Sequence, residues 1–488
     1  MSSNNNPKAV ESADALNRRL HEAFSCGSTR SYEWRAAQLR AMMSLLDDNE
    51  AALHDALRSD LGKSPFESDM TELHLVRNSI EYMLRHLRAW LNPSSPDATA
   101  ALPWYLSAPG SKARIVPEPL GVALIIGPWN FPILLTLDPL VAAIAAGNAA
   151  ALKLSEVSPA TSALMASLLP QYLDNSAIGV VTGGPDASIA LLEQRWDKIF
   201  YTGNPVVGRY VMAAAAKHLT PVTLELGGKC ATLIDSSADV VLAARRIASG
   251  KWAMNAGQTC IAPDYVLVER KVSAAFVEAL KKSLLDFGFD ADGAEFELPH
   301  IINKAHLGRL ISMRDEALGG GATQVTWRQK SGNGAGTDIG TNVNVVPELF
   351  MEPTILLNPP FDSRVMTEEI FGPILPVLEV DDIMDDGMAI VKSKSKPLAL
   401  YVFSNKLACK VSYHNNKNGN SASNFLKGLI PRRATTTNTN NNTNNNANAN
   451  TNTTSGGGGG GGGGSEHRVF VEHDKFASSG ALVLNDVV

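Results

Sequence analysis

Cysteine is scarce in this 488-residue chain. Cys26, Cys230, Cys260 and Cys409 are the only four, widely separated and without a CxxC pair. That spacing excludes a disulfide framework and a cysteine zinc site, and it suits a reducing compartment. The histidines show no HExxH or other ligand spacing, so no metal is expected. A charge excess of one sign is also missing. The net charge is −6, with acids and bases mixed along the chain, which leaves no footprint for nucleic acid or an anionic membrane. No long apolar run is intact. The longest apolar region, 121–152, is broken by Pro128, Asn130, Pro132, Asp138, Pro139 and Asn148. A bilayer penalises so interrupted a backbone, and the region reads as a buried strand, a loop and a buried helix. Residues Met1 to Asn6 have neither a basic start nor an apolar core, so no secretory signal and a cytoplasmic location are expected. Where a strand leads into a helix at 203–208, the GxGxxG dinucleotide fingerprint is missing as well.

What is present is a long α/β pattern, with length enough for two or three domains. Apolar residues fall at helical spacing through residues 11–93, clearly so in 36–46 and 73–91. Pro93, Pro96 and Pro103 then open a connector. Strand and helix signals alternate from there. Strands are expected at Val122–Ile126, Ala150–Leu154, Gly179–Val181 and Lys198–Tyr201, with helices at 158–170 and 206–218. A second α/β segment starts near Leu226. It has helices at 239–253 and 272–285 and strands at 265–268 and 398–403. Such alternation implies parallel sheets covered on both faces. Residues 405–475 pass into an Asn/Thr tract and nine consecutive glycines, Gly456–Gly464. This composition buries too little apolar surface to offset chain entropy, so a disordered insert is expected.

Three short motifs carry chemistry: Gly127-Pro-Trp-Asn-Phe-Pro132, Glu225-Leu-Gly-Gly-Lys229 and Gly257-Gln-Thr-Cys260. A cysteine in a tight glycine loop can attack a carbonyl carbon, and a carboxylate can activate the water that releases the product. An isolated cysteine is more often an inert, buried residue. The turn around Gly257 reverses those odds for Cys260, because it sets the cysteine N–H where a substrate oxygen can meet it. Glu225 has apolar neighbours, and desolvation raises a carboxyl toward the range of a useful base. Asn130 either stabilises its own turn or aims an amide N–H at an oxyanion; the two readings stand level. Gly203, Asn204, Pro205, Val206, Val207 and Gly208 follow a strand and open a helix, where a pyrophosphate can approach. Gly62-Lys-Ser64 imitates the end of a P-loop, but Leu57 stands where its first glycine belongs. Gly332–Gly336 imitates a nucleotide loop, but no helix pattern follows it.

Together these segments resemble the aldehyde dehydrogenases, and most closely class 3, the fatty- and aromatic-aldehyde branch. Glu33-Trp-Arg35, Asp60-Leu-Gly-Lys-Ser64, Pro119–Val122, Tyr201-Thr-Gly203, Leu219-Thr-Pro221, Glu368–Pro373 and Pro397–Ser404 extend the likeness, as does the Ala-Pro-Asp-Tyr that follows Cys260. The resemblance implies two open, parallel, Rossmann-like sheet domains plus a small bridging and oligomerisation element. Residues 1–225 would be the helical and nucleotide-binding part, with a bridging hairpin near 95–118. Residues 226–404 would be catalytic, 405–476 the insert, and 477–488 the start of an incomplete C-terminal segment. It also implies NAD or NADP as cofactor and oxidation of an aldehyde to an acid. Cys260 would be the nucleophile, Glu225 the base and Asn130 the oxyanion donor. Lys153 and Glu156 would hold the adenosine ribose, 203–208 the pyrophosphate, and Glu369 and Phe371 the nicotinamide ribose. Glu156 favours a free 2′-hydroxyl and hence NAD, although class 3 members often accept NADP. The family's homodimer is expected too, weakened here by the missing tail. The rival reading is an impaired homologue that serves as a cofactor-binding or dimerising scaffold.

Overall fold

The computed structural model describes residues 11–92, 116–289, 299–327 and 348–405, and the backbone of Phe470–Val471. Four long helices come first: Ala13–Ser25, Tyr32–Asp48, Glu50–Leu61 and His74–Trp90. Local chemistry marks their ends. The Ser12 and Ser31 side chains accept from the N–H groups of Ala15 and Trp34, and Gly62, in the left-handed region at φ 69°, stops the third helix. The apolar stripes of the last three, including Leu39, Met42, Leu57 and Ile80, pack with the helix Leu134–Ala146 in one buried cluster, while Leu16 and Leu20 of the first pack with Val122 and Leu124 in another. Arg35 donates to the carbonyl of Ala145 at 3.0 Å, placing a cation at that helix's negative end.

The first sheet has five strands: β1 (Val122–Ile126), β2 (Ala149–Lys153), β3 (Ile178–Val181), β4 (Lys198–Gly203) and β5 (Val222–Leu226). Their order is β3-β2-β1-β4-β5 and all pairs are parallel. The chain winds outward from β1 in one direction and then the other, so a crevice opens at the carboxyl ends of β1 and β4. β1 and β2 are buried along their whole length, as continuous apolar runs in a covered parallel sheet should be.

The second sheet contains β6 (Ala231–Ile234), β7 (Tyr265–Glu269), β8 (Thr323–Gln324), β9 (Thr354–Leu357), β10 (Ile374–Val380), β11 (Leu400–Phe403) and β12 (Phe470–Val471), in the order β12-β11-β6-β7-β10-β9-β8. The inner pairs are parallel; β8 and β12 add antiparallel edges. Two apolar clusters cover its faces. Most of 405–476 lies outside the described residues, as do 477–488 and most of the hairpin expected near 95–118. Within the expected insert, Phe470–Val471 pairs with Tyr401–Val402, a contact its composition does not announce. The helix expected over 239–253 is regular only for Val240–Ala248. A wider turn, Ser249–Ala253, follows and leads into the cysteine loop. Among the described residues no helix is long and apolar enough to cross a membrane.

Candidate active site

A single cavity of about 2760 Å³ runs between the two sheets. The carboxyl ends of β1, β2, β4 and β5 open into it, and so do the loops that lead into β6, β7 and β10. It gathers Asn130, Lys153, Glu156, Gly203, Asn204, Pro205, Val206, Val207, Glu225, Cys260, Glu369 and Phe371. Of the residues expected in the site, Gly208 alone does not line it. Gly208 packs into the sheet instead, where an added Cβ would stand 3.2 Å from Leu226 Cδ2.

Cys260 sits in a loop made by three successive residues in the left-handed region: Asn255, Ala256 and Gly257 have φ of 47°, 49° and 75°. Gly257 also has no room for a side chain, since a Cβ would lie 2.5 Å from the Gly372 carbonyl. Burial, with the Glu369 and Glu225 carboxylates adding to it, pushes the Cys260 thiol up to about 12. The N–H groups of Cys260 and Ile261 act on the sulfur in the opposite direction. Glu225 belongs to β5, and burial raises its carboxyl above the ordinary value. Asn130 follows β1, is buried, and donates from Nδ2 to the Gln258 carbonyl at 3.0 Å. The loop that carries the amide is thereby tied to the loop that carries the sulfur.

One arm of the cavity fits a dinucleotide. Asn204 caps the helix Pro205–Ala216 by accepting from the Val207 N–H at 2.9 Å and, at its carbonyl, from the Gly208 N–H at 3.1 Å; Pro205 has no N–H, so in the first turn the Val206 N–H is the one left for the cavity. Lys153, buried at the end of β2, donates to Glu156 at 2.7 Å and to the Leu154 carbonyl at 2.8 Å. A carboxylate and an ammonium side by side suit ribose hydroxyls. The other arm runs between the helices His74–Trp90 and Leu134–Ala146, past Met70, Tyr82, Leu134 and Asp138.

Glu369 and Phe371 meet the cavity through a loop clasped by residues to which the sequence assigned no role. Lys229 is ion-paired with Asp264 and donates to the carbonyls of Val365 and Glu368 at 2.8 and 2.9 Å. Asp264 accepts from the Ile370 N–H at 2.9 Å, and Arg309 donates to the Ile370 carbonyl at 2.6 Å. Lys229 and Asp264 stand inside motifs visible in the sequence; Arg309 carries no such signal. The Glu369 carboxylate lies over Gly227, where a Cβ would be 2.3 Å from both oxygens. Burial, with Asp264 nearby, pushes it up to about 7. Phe371 takes φ 52° and meets the Trp129 ring edge-on at 5.3 Å. Lys251 is fully buried beneath the loop, its Nζ has no hydrogen-bond partner among the described residues, and burial lowers it to about 8. Among the described residues no group of acidic, histidine or cysteine side chains is arranged to hold a metal.

The family model "Aldehyde dehydrogenase family" matches residues 5–420. The chain belongs to the aldehyde dehydrogenase family. It is an enzyme that oxidises aldehydes with NAD or NADP. Aldehyde dehydrogenase family 3 member H1 of Arabidopsis thaliana is 42% identical over 405 residues, which is 83% of this chain and 79% of that one. The human aldehyde dehydrogenase family 3 member B1 is 42% identical over 388 residues, 80% of this chain and 77% of its own. The substrate-bound structure of Staphylococcus aureus AldH superposes with a TM-score of 0.73 at 34% identity and covers 81% of each chain. The dehydrogenase therefore shares its fold with solved enzymes and its sequence with family 3 relatives.

Proposed function

We propose that Cys260 is the nucleophile of this dehydrogenase, Glu225 its general base and Asn130 its side-chain oxyanion donor. The observation that carries the reading is their convergence: three residues 35 to 130 positions apart line one cavity with the dinucleotide arm beside them. The Cys260 thiol transfers its proton to a base, and the thiolate adds to the aldehyde carbon to form a thiohemiacetal. The new oxyanion accepts hydrogen bonds from Asn130 Nδ2 and the Cys260 N–H. When bound, the oxidised nicotinamide supplies the acceptor for the hydride that leaves this carbon. The thioester that results is opened by water. Glu225 takes a proton from that water, the carboxylic acid departs and the thiol is restored. The raised carboxyl of Glu225 suits this task, since a base strong enough to take a proton must first hold one well.

In the same reading residues 1–225 carry the cofactor and 226–404 the cysteine. Lys153 and Glu156 hold the adenosine ribose, the 203–208 segment faces the pyrophosphate, and Glu369 and Phe371 grip the nicotinamide ribose. A Glu156 carboxylate repels a 2′-phosphate, so NAD is the preferred cofactor. Homodimer formation is supported by the apolar side chains left on the surface, among them Phe66 and Met70 beside the helix His74–Trp90, 76% and 51% exposed. A cytoplasmic location is supported by the separated cysteines, of which Cys26, Cys230 and Cys260 are free. The decisive experiment is Cys260→Ala, assayed by reduced-nicotinamide absorbance with hexanal or benzaldehyde alongside a cofactor titration. Loss of oxidation with intact cofactor binding is the expected result; substantial residual oxidation would remove Cys260 from its role.

A further inference from the structure

We infer that Lys63 and Glu72 are positioning residues for the oxyanion hole: their buried ion pair fixes the peptide of Asn130 and so the direction of its carboxamide. This rests on the reading of Asn130 as an oxyanion donor. Both side chains are wholly buried, and their N···O distance is 2.6 Å. Lys63 also donates to the Asn130 carbonyl at 3.2 Å and holds its ammonium 3.9 Å from the centre of the Phe131 ring. Its three N–H donors thus have three places to go, and two belong to the Asn130–Phe131 dipeptide. The second oxygen of Glu72 accepts from Ile133 N at 2.8 Å and Leu134 N at 3.2 Å. Those are donors at the start of the helix Leu134–Ala146, which has no side-chain cap at Ile133. One ion pair therefore grips the loop at both ends, at Asn130 and at the helix it enters.

The opposite side of the loop is held as firmly. Asn255 Nδ2 donates to the same Asn130 carbonyl at 2.8 Å, and the Asn255 N–H donates to Glu67 Oε1 at 2.6 Å. Asn130 Nδ2 spends one N–H on Gln258. An amide nitrogen has two, so the other is free for substrate. Rotation of the Asn130 peptide would carry that second N–H away from the reacting carbonyl. Stability is a poor explanation of the pair by itself, because buried ion pairs are commonly replaced by apolar residues without loss. Positioning is a better one, because a misplacement of about 1 Å in a site costs on the order of 10²-fold in rate.

The test is a double-mutant cycle on the full-length enzyme. Lys63→Met with Glu72→Leu removes both charges together and strands neither. Lys63→Gln with Glu72→Gln, a polar replacement that also strands no charge, provides the same cycle if the apolar pair does not fold. Each is made alone and with Asn130→Ala, and kcat, KM, cofactor titration and melting temperature are measured. The pair replacement should lower kcat by roughly 10- to 10²-fold with KM and cofactor affinity nearly unchanged. In the Asn130→Ala background the same replacement should cost less than about threefold, because the group it positions is already gone. An unchanged kcat, or a full multiplicative loss in that background, overturns the inference while Asn130 keeps its role. If Asn130→Ala alone leaves kcat intact, the role of Asn130 falls and this inference falls with it.

Discussion

At the scale of single residues, the proposed chemistry turns on two carboxyls and one thiol, and all three are shifted upward by burial. The Cys260 thiol, pushed up to about 12, is a poor nucleophile until a neighbour takes its proton. Glu225 is raised, so it keeps its proton to a higher pH than an ordinary glutamate and becomes a base only above that point. The rate of thioester hydrolysis should therefore climb with pH through a midpoint above 4.5, the ordinary glutamate value. Glu225→Gln should erase that limb and leave an acyl adduct on Cys260, visible by mass spectrometry of quenched enzyme. A profile unchanged by the substitution would assign the base elsewhere. Glu369 makes a different prediction, about stability. Its folded value is about 7 against an ordinary 4.5, so folding favours its neutral form. Its contribution is full below about 4.5 and lost as pH rises through about 7. Melting temperatures of Glu369→Gln should be flatter than wild type across that window, and parallel curves would contradict the burial of the carboxyl.

The element that matters most is the cysteine loop, Met254–Ala262. It depends on Gly257, whose φ of 75° and close carbonyl neighbours leave no space for a methyl group. Gly257→Ala should destabilise the fold by about 1–3 kcal/mol and depress turnover further by moving the sulfur. Urea denaturation and steady-state kinetics measure the two effects, and wild-type values in both would show that the loop relaxes freely. Several elements were legible in the sequence for clear reasons. β1 and β7 are short apolar runs bounded by turn residues, and Cys260, Glu225 and Asn130 stand in or beside glycine-marked turns. β9 and β10 were not legible. Thr354–Leu357 is only four residues long, and Pro376 interrupts the apolar run of Ile374–Val380. Arg309 carried no signal and Lys63 was visible only as part of Asp60–Ser64, because their meaning arises from partners far along the chain. Lys63 reaches a carbonyl 67 residues away.

At the scale of the whole molecule, the N-terminal helices reach across to the second sheet's side of the cavity. The Asn255 N–H is bonded to Glu67 across 188 residues, and the His300 N–H donates to the Leu61 carbonyl at 2.8 Å. Glu67→Ala would leave a buried N–H unpaired and should lower stability by about 1–3 kcal/mol, read by urea denaturation. No change in the midpoint would mean that the bridge has a ready substitute. A final consequence concerns wear. Aldehydes condense with free amines to form imines, and the cavity that holds Cys260 is also lined by lysines. Lys153 and Lys229, which face the cavity, are ion-paired with Glu156 and Asp264. Lys251, the amine that burial drives toward its neutral and reactive form, has no surface through which an aldehyde can arrive. Lys394 is the exception: it lines the cavity and burial lowers its ammonium, so it is there that an aldehyde meets an amine ready to condense.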